Sequence, residues 1–293
     1  MSMERTLNPL KSAVTQLRRN RKLLAGLIGF LTILLVSLSV YPFGITLPHK
    51  IGTDQPKLPP SFEHLLGTDD YGRDMLTIFL YAVQFSLYTG LVAGTIGTLI
   101  GATLGFISGY EGGVVDELLR NFIDMFMVVP LWPILAVVLV YLRGTSFTTI
   151  AILLGAFSWP GAARTIRSQV LTLKEKDFVD LAKISGLNQF EILFKEILPN
   201  MIPYLSLIFM GSVVGAMFAE VSLEVIGLVP KGNSWTLGLM FNAAIENIAV
   251  LKGWWWWVVP PTAALVGTFI SLYTITVGLD EIANPRLKRI TGM

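Results

Sequence analysis

Six apolar runs, each long enough for a helix to cross a lipid bilayer, dominate this 293-residue sequence. A spanning helix needs about 20 predominantly apolar residues, because every backbone polar group must be hydrogen-bonded inside the hydrocarbon region. Only 14% of the residues are charged, against about 25% in soluble domains. The sequence therefore predicts an all-α, polytopic membrane helical bundle with six transmembrane helices. The predicted spans are residues 23–43, 85–108, 114–142, 148–164, 201–226 and 255–279.

Lys and Arg are distributed unevenly among the segments that join these spans. With the N-terminus inside, sixteen of the 22 Lys and Arg residues fall on the inner side and six on the outer side. Cytoplasmic loops carry the excess of these residues in membrane proteins, so both termini are predicted to be cytoplasmic. The predicted organisation is a cytoplasmic N-terminal segment (1–22), a first transmembrane helix (23–43), an external loop (44–84), a core transmembrane domain (85–280) and a cytoplasmic tail (281–293).

A second large loop, residues 227–254, is also predicted to be external, and the run "WWWW" begins at its end, at Trp254–Trp257. Four consecutive side chains point all round a helix, so they cannot form one stacking surface for a ligand. Trp is enriched at membrane–water interfaces. We therefore predict that these residues form an aromatic belt at the outer interface.

The second predicted span carries a regular glycine repeat. The glycines recur at intervals of three or four residues, so they share one face of a helix. Because helices in lipid associate through close backbone contact between small residues, this face predicts that another helix packs directly against it. The glycines are Gly90, Gly94, Gly97, Gly101, Gly105 and Gly109.

Two acidic residues lie near the outer end of the fifth predicted span. Glu220 and Glu224 are four residues apart, which places them on one helix face. A charge in the middle of the bilayer costs about 2.5–3.5 kcal/mol, so both are expected to face protein or water. Two interpretations remain open: the pair belongs to an outer gate or substrate route, or it simply reaches the outer interface.

Recognisable enzyme motifs are absent from the sequence. There is no P-loop for ATP, no H-E-x-x-H pattern and no nucleophile elbow. There is no cysteine, which excludes cysteine metal sites, and there are only two histidines. We therefore expect no catalytic residue, no bound metal and no cofactor in this chain, and we expect its energy source to be another protein.

A charged amphipathic segment, "DFVDLAKISGLNQFEILFKEILPN", separates the fourth and fifth predicted spans. Asn188 followed by Glu191 has the form of a capping box at a helix start. Gly186 lies where a backbone with positive φ would join two helices, and Pro199 is expected to end the second helix. The segment is thus predicted to be helix–Gly–helix on the cytoplasmic surface. A single helix lying in the headgroups would explain its apolar stripe but not the glycine between two helices.

This segment resembles the cytoplasmic EAA loop of permeases from binding-protein-dependent ABC importers. In that family an acidic residue and two alanines are followed, four residues on, by Gly and later by Leu-Pro-Asn. The matching positions here are Asp180–Leu181–Ala182, Gly186 and Leu198–Pro199–Asn200. Leu181 replaces the first alanine, and Glu196 stands where the family often has His, which would fit an adapted ATPase partner.

Other segments resemble the C-type permease subunit of dipeptide, oligopeptide and nickel importers. The segment "LGTDDYGRDMLTIFLYAVQFSL" (Leu66–Leu87) is similar to a hallmark LGTD-x-x-GRD pattern, and "EVSLEVIGL" (Glu220–Leu228) also matches. The tail "GLDEIANPRLKR" (Gly278–Arg289) is similar to the family's ending, with Asn284 in place of its usual Asp. The resemblance covers essentially the whole chain.

The resemblance implies a type I ABC importer transmembrane fold and a role in transport. The chain would pair with a homologous second permease, two ATP-binding subunits carrying ATP and Mg would dock under the cytoplasmic loops, and an extracytoplasmic solute-binding protein would deliver cargo. The location would be the inner or plasma membrane of a prokaryote, with no nucleic-acid partner. Within the cytoplasmic coupling loop, 170–200, the residues expected to transmit ATPase motion are Asp177, Asp180, Ala182, Gly186, Phe190, Leu193, Phe194, Pro199 and Asn200.

Cargo and some functional alternatives stay open from the sequence. Selectivity in such importers rests largely on the binding protein, so dipeptides or oligopeptides, oligosaccharides and nickel complexes are all compatible with this chain. A channel or ion-driven secondary transporter would usually show inverted repeats or charged midplane sites, and neither is evident. A non-transporting scaffold would need neither the helix–Gly–helix segment nor the glycine face.

Overall fold

The computed structural model describes residues 20–42, 54–142, 146–229 and 235–283. Over these ranges the chain is helical, and its only β-type pairing is an isolated bridge between Thr68 and Asp74, so the all-α prediction is confirmed. The remaining residues of the predicted N-terminal segment and C-terminal tail, 1–19 and 284–293, lie outside the described residues. The helices are α1 (Arg21–Leu38), α2 (Met75–Glu111), α3 (Gly113–Val128), α4 (Leu131–Tyr141), α5 (Phe147–Lys174), α6 (Asp177–Ile184), α7 (Gln189–Val225), α8 (Leu237–Glu246) and α9 (Trp255–Ala283).

Four of these helices, α1, α2, α7 and α9, are long and apolar enough to cross a membrane. Helices α3 and α4 would add a fifth crossing if the bent pair is one span. Helix α5 has 28 residues but is less apolar, and it carries Lys174 in its last turn. The described part of the chain is therefore a multi-pass bundle with four to five strongly apolar spans.

The predicted third span, 114–142, is broken in the structure. Helices α3 and α4 meet at an angle of 72°. Pro130 causes the break, because the residue before a proline is sterically driven out of the helical region, and Val129 has an extended ψ of 123°. The prediction of one continuous helix is therefore wrong.

Helix α2 begins at Met75, not at Phe85 as predicted. Asp74 caps it: its carboxylate accepts hydrogen bonds from the backbone N–H and the hydroxyl of Thr77, both at 2.8 Å. Such a cap satisfies a donor that the helix start leaves unpaired. The predicted external segment of residues 44–84 therefore contains the first turns of α2, and residues 44–53 of it lie outside the described ranges.

Helix α7 runs without interruption from Gln189 to Val225, so the prediction that Pro199 ends a helix is wrong. The six residues Ile192–Ile197 are π-helical, and the Leu198 N–H bonds to the Leu193 carbonyl, five residues back. Proline in a helix removes one N–H and clashes with the carbonyl four residues before it. The wider π turn, immediately before Pro199, relaxes this conflict and lets the helix continue.

The predicted loop of residues 227–254 contains a helix, α8. Its N-cap is Thr236, whose hydroxyl accepts a hydrogen bond from the Leu239 N–H at 3.2 Å. With ten residues, α8 is too short to span a bilayer. It packs instead on α7, α9 and α2.

The tryptophan run is divided between core and surface. Trp256 and Trp257 are buried, at 8% and 1% exposure, in the same apolar cluster as Met75 and Ile78. Trp255 is 54% exposed. The prediction that the whole run forms an aromatic belt is therefore wrong, since two of the four rings lie in the protein interior.

The glycine face of α2 packs directly on two other helices, as predicted. A Cβ atom on Gly101 would lie 2.6 Å from the Ala162 Cβ and 3.0 Å from backbone atoms of α5. A Cβ on Gly90 or Gly94 would instead collide with Met217 or Val213 of α7. Because any side chain would meet backbone here, the glycines set the spacing of α2, α5 and α7.

Helices α1 and α9 form a second close pair. A Cβ on Gly26 would lie 2.7 Å from the Ile275 nitrogen. The Asn20 side chain caps α1 and donates a hydrogen bond to the Gly278 carbonyl at 2.9 Å, while Lys22 pairs with Glu281 at 2.5 Å. The first helix is thus fastened to the last one at this end of the bundle.

Candidate functional site

The turn of the predicted coupling segment has the geometry that its glycine indicates. Gly186 has φ +83°, which confirms the predicted positive φ. Its N–H bonds to the Lys183 carbonyl at 3.0 Å, and the Leu187 N–H bonds to the Ala182 carbonyl at 3.2 Å. These two bonds close the end of α6 in the way typical of a left-handed terminal glycine. No atom lies within 4 Å of a Cβ built on Gly186, so backbone conformation, not space, requires glycine.

The helix after the turn starts with the predicted capping box. Asn188 Oδ1 accepts from the Glu191 N–H at 2.9 Å, and Glu191 Oε2 accepts from the Asn188 N–H at 3.1 Å. Lys195 adds an ion pair with Glu191 at 2.8 Å. These reciprocal bonds fix the direction in which α7 leaves the turn.

The underside of the coupling segment is anchored to the bundle by an apolar layer. Ala182 is buried in this layer, so it packs inward and is not available to another protein. Leu193 is half-buried against the same layer. The fully buried members are Ile166, Val170, Val179, Ala182, Ile192, Ile197 and Met201. Any displacement of the segment must therefore act on α5 and α7.

The side of the segment that faces away from the helix bundle presents four large apolar side chains. We call this set the docking face: Leu181, Ile184, Phe190 and Phe194. Phe190 is 76% and Ile184 84% exposed. Such an exposed apolar group on a polar surface marks an interaction site.

Asp177 and Asp180 lie exposed in the first turn of α6, beside this face, and Asp180 pairs with Lys183 at 2.8 Å. Pro199 and Asn200 are exposed on α7 beyond the π-helical turn, and the Asn200 side chain donates to the Glu196 carbonyl at 2.6 Å. Sequence reasoning missed Leu181 and Ile184 as members of the docking face. The available signal was Leu181 itself, a large residue where the family pattern has alanine.

An ion pair joins α3 to α5 above the coupling segment. Arg167 donates two hydrogen bonds to the Asp116 carboxylate, at 2.5 and 2.6 Å, and the Ser108 hydroxyl donates a third at 2.6 Å. A bidentate pair of this kind fixes orientation as well as distance. The broken pair α3–α4 is thereby tied to the helix that leads into α6.

Glu220 and Glu224 are deeply buried, at 1% and 2% exposure. The interpretation that they simply reach the outer interface is therefore wrong. The Thr236 hydroxyl donates to Glu224 Oε2, and the Leu237 N–H donates to the Ser86 hydroxyl at 3.0 Å. These contacts bring α2, α7 and the start of α8 together around the two carboxyl groups.

An open groove of about 440 Å³ runs between α5 and α7. A Cβ atom on any of its three glycines would meet nothing within 4 Å, in contrast to the crowded glycines of α2. Its lining contains no charged side chain. The small or hydroxylated residues that line it are Ser158, Gly161, Ala162, Thr165, Gly211, Ser212, Gly215, Ala216 and Ala219.

Comparison with known proteins shows similarity over nearly the whole chain. Residues 101–289 match the family described as binding-protein-dependent transport system inner membrane component. A dipeptide transport system permease protein of Bacillus subtilis is 31% identical, covering 97% of this chain and 88% of the relative. An oligopeptide transport system permease protein of the same organism is 28% identical over 98% and 92%. A dipeptide permease protein of Haemophilus influenzae is 27% identical over 96% of both.

Proposed function

Because the chain belongs to the binding-protein-dependent transport system inner membrane components, we propose that it is a permease subunit of a peptide ABC importer. Its relatives over nearly full length are named dipeptide and oligopeptide permeases. It is a transport subunit, not an enzyme. Peptides are therefore the favoured cargo, ahead of the oligosaccharides and nickel complexes that the sequence alone leaves open.

The observation that carries this proposal is the coupling segment. Its underside is anchored to α5 and α7 by a buried apolar layer. The side that faces away from the bundle exposes the docking face of Leu181, Ile184, Phe190 and Phe194. An apolar helical face of this kind fits a groove on another protein. We assign the groove to an ATP-binding subunit, which would hold and hydrolyse ATP with Mg.

The remaining assembly follows from the same assignment. Two ATP-binding subunits dock on the cytoplasmic side, a homologous second permease completes the path, and an extracytoplasmic solute-binding protein supplies cargo. The chain crosses the inner or plasma membrane of a prokaryote six times, with α3–α4 as one bent crossing, α5 as another and both termini in the cytoplasm. The uncharged groove between α5 and α7 faces the path, where it can accept peptides of either charge.

The test is isolation of the tagged chain from its native membrane in mild detergent, followed by uptake assays. We expect a second permease and ATP-binding subunits to be recovered with it. In proteoliposomes with the matching binding protein, we expect ATP-dependent uptake of labelled di- or oligopeptides and no uptake of a labelled malto-oligosaccharide. Recovery of the chain alone, under conditions that preserve a known importer complex, would contradict the proposal.

Replacement of Gly186 is expected to weaken the coupling of ATP hydrolysis to uptake. An alanine in the left-handed region costs about 1–2 kcal/mol, which is about 5–30-fold in the population of the native turn. We expect Gly186→Ala to lower the peptide taken up per ATP hydrolysed several-fold, without loss of membrane insertion. Asparagine tolerates this conformation, so Gly186→Asn is the matched control and should stay near wild type. Equal coupling in wild type and Gly186→Ala would disprove the role of the turn.

A further inference from the structure

Glu220 and Glu224 are buried in an apolar bundle, and no Lys, Arg or His side chain among the described residues forms an ion pair with them. Arg73, which lies over the Trp235 ring next to the start of α8, is paired with Asp69. The two residues are 1% and 2% exposed. A carboxylate in such surroundings is disfavoured, because burial removes its hydration and only a few neutral hydrogen-bond donors replace it. The pair must therefore be neutralised by a cation or by protons.

No helix packed around the pair supplies that cation. Helix α2 has no charged residue between Asp74 and Glu111, and α9 has none between Trp255 and Leu279. In α8 the sole charged residue is Glu246, another acid, and the outer half of α5, from Phe147 to Trp159, has none. On α7 itself, the two glutamates are the only ionisable side chains after Tyr204.

The neighbours of the pair are hydroxyl groups. Ser86 and Thr89 face Glu220, and the Thr236 hydroxyl donates to Glu224. Glu220 Oε2 and Thr89 Oγ1 are both buried and have no hydrogen-bond partner among the described residues. A proton on the Glu220 carboxyl turns an unpaired acceptor into a donor.

A metal ion is the less suitable neutralising group. The pair offers two carboxyl groups, and the described ranges contain no group of three or more His, Cys, Asp and Glu side chains that could hold a metal. Calcium, the oxygen-seeking ion best suited to carboxylates, takes about 6–8 oxygen ligands. The arrangement is therefore better suited to protons.

We propose that Glu220 and Glu224 are both protonated at neutral pH and that the neutral pair fastens α8 to α7 and α2. Thr236, at the N-cap of α8, bonds to Glu224, and the next residue, Leu237, bonds to Ser86 of α2. Gly238 leaves the space for this contact, because a Cβ there would collide with Glu224 Oε2. Ionisation would place two like charges one helical turn apart in a buried site, and their repulsion and need for hydration would drive α8 away from α7 and α2.

In the proposed importer, this fastening closes the outer end of the path, and that part of the inference rests on the proposed function. The proposed protonation of the two carboxyl groups does not depend on that function. Glu220 and Glu224 thus act as positioning residues for α8. The pair makes the closed outer end sensitive to alkaline pH.

Infrared spectroscopy of the purified full chain in nanodiscs tests the protonation directly. A protonated carboxyl has a C=O band separate from the carboxylate bands. We expect E220Q/E224Q to lose intensity in the protonated band at neutral pH, whereas the exposed-site control E63Q loses only carboxylate intensity. The proposal would be overturned if E220Q/E224Q lost carboxylate intensity, as E63Q does. It would also be overturned if Na⁺ or Ca²⁺ added to wild type converted the protonated band into carboxylate intensity.

A wild-type titration keeps the test valid if the double variant does not fold. Raising the pH should convert the protonated band into carboxylate intensity and should speed amide exchange in α8, after correction for base catalysis. The single variants E220Q and E224Q should each reduce this change without abolishing it, since each leaves one titrating carboxyl group and removes its charged neighbour. A protonated band that is absent at neutral pH, or exchange in α8 that does not follow its loss, would refute the fastening.

Discussion

Replacing Gly101 with leucine is expected to prevent folding, so that almost no correctly folded chain is present in the membrane. A Cβ at this position would lie 2.6 Å from Ala162 Cβ and 3.0 Å from two backbone atoms of α5. Backbone cannot move aside as a flexible side chain can, so α2 and α5 would have to separate along their length. Extra methylene groups in a packed core cost about 1–3 kcal/mol, and leucine adds four carbons at a site without space for one.

The matched control is Gly161→Leu, on the opposing helix α5. A Cβ at Gly161 would meet nothing within 4 Å, so the isolated chain should accept the same side chain. The measurement is the amount and melting temperature of monodisperse protein after detergent extraction. We expect Gly101→Leu to give aggregate, Gly101→Ala to give an intermediate melting temperature, and Gly161→Leu to match wild type. Equal yields from both leucine variants would contradict the assigned role of the glycine face.

Replacing Phe190 with aspartate is expected to prevent the ATP-binding subunits from docking while the permease still folds. Phe190 is 76% exposed, so little folding energy depends on its ring. Buried aromatic anchors at interfaces commonly contribute 2 kcal/mol or more, which is about 30-fold in affinity, and a carboxylate in the same groove adds a desolvation cost. We expect co-purification of the ATP-binding subunits to fall by at least about that factor, and peptide uptake to be lost.

The control for this experiment is Phe62→Asp. Phe62 is fully exposed and lies in the segment predicted to be outside the membrane. The same change of side chain should therefore leave the recovery of ATP-binding subunits at the wild-type level. If Phe190→Asp retained these subunits as well as Phe62→Asp does, the docking face would lie elsewhere on the chain.

Local patterns in the sequence were sufficient to predict the turn of the coupling segment. Gly186 and the capping box of Asn188 and Glu191 act through bonds between residues at most a few positions apart. The glycine face of α2 was predictable for a related reason. Glycines at intervals of three or four residues indicate one closely packed side of a helix, whichever helix packs against it. The turn at Gly186, the capping box and the packed face of α2 were therefore identified correctly.

Some features that sequence reasoning missed are local, such as the break at Pro130 and the π turn before Pro199, whereas others depend on contacts between distant segments. Pro199 is a helix-stopping residue by local rules, but the π turn before it allows α7 to continue. The burial of Trp257 and of Glu220 follows from α2 and α8 packing over them. Whether Leu181 or Leu193 faces outward is decided by the apolar layer beneath, which α5 supplies.

The unbroken course of α7 makes it a lever between the two sides of the membrane. Phe190 and Glu220 lie on the same rod, about 45 Å apart at 1.5 Å of rise per residue. A tilt of about 5° at the Phe190 end would move the Glu220 end by about 4 Å, which is more than a hydrogen bond can stretch. Pressure on two phenylalanine rings could thus pull Glu224 from Thr236 without any relay of intermediate contacts.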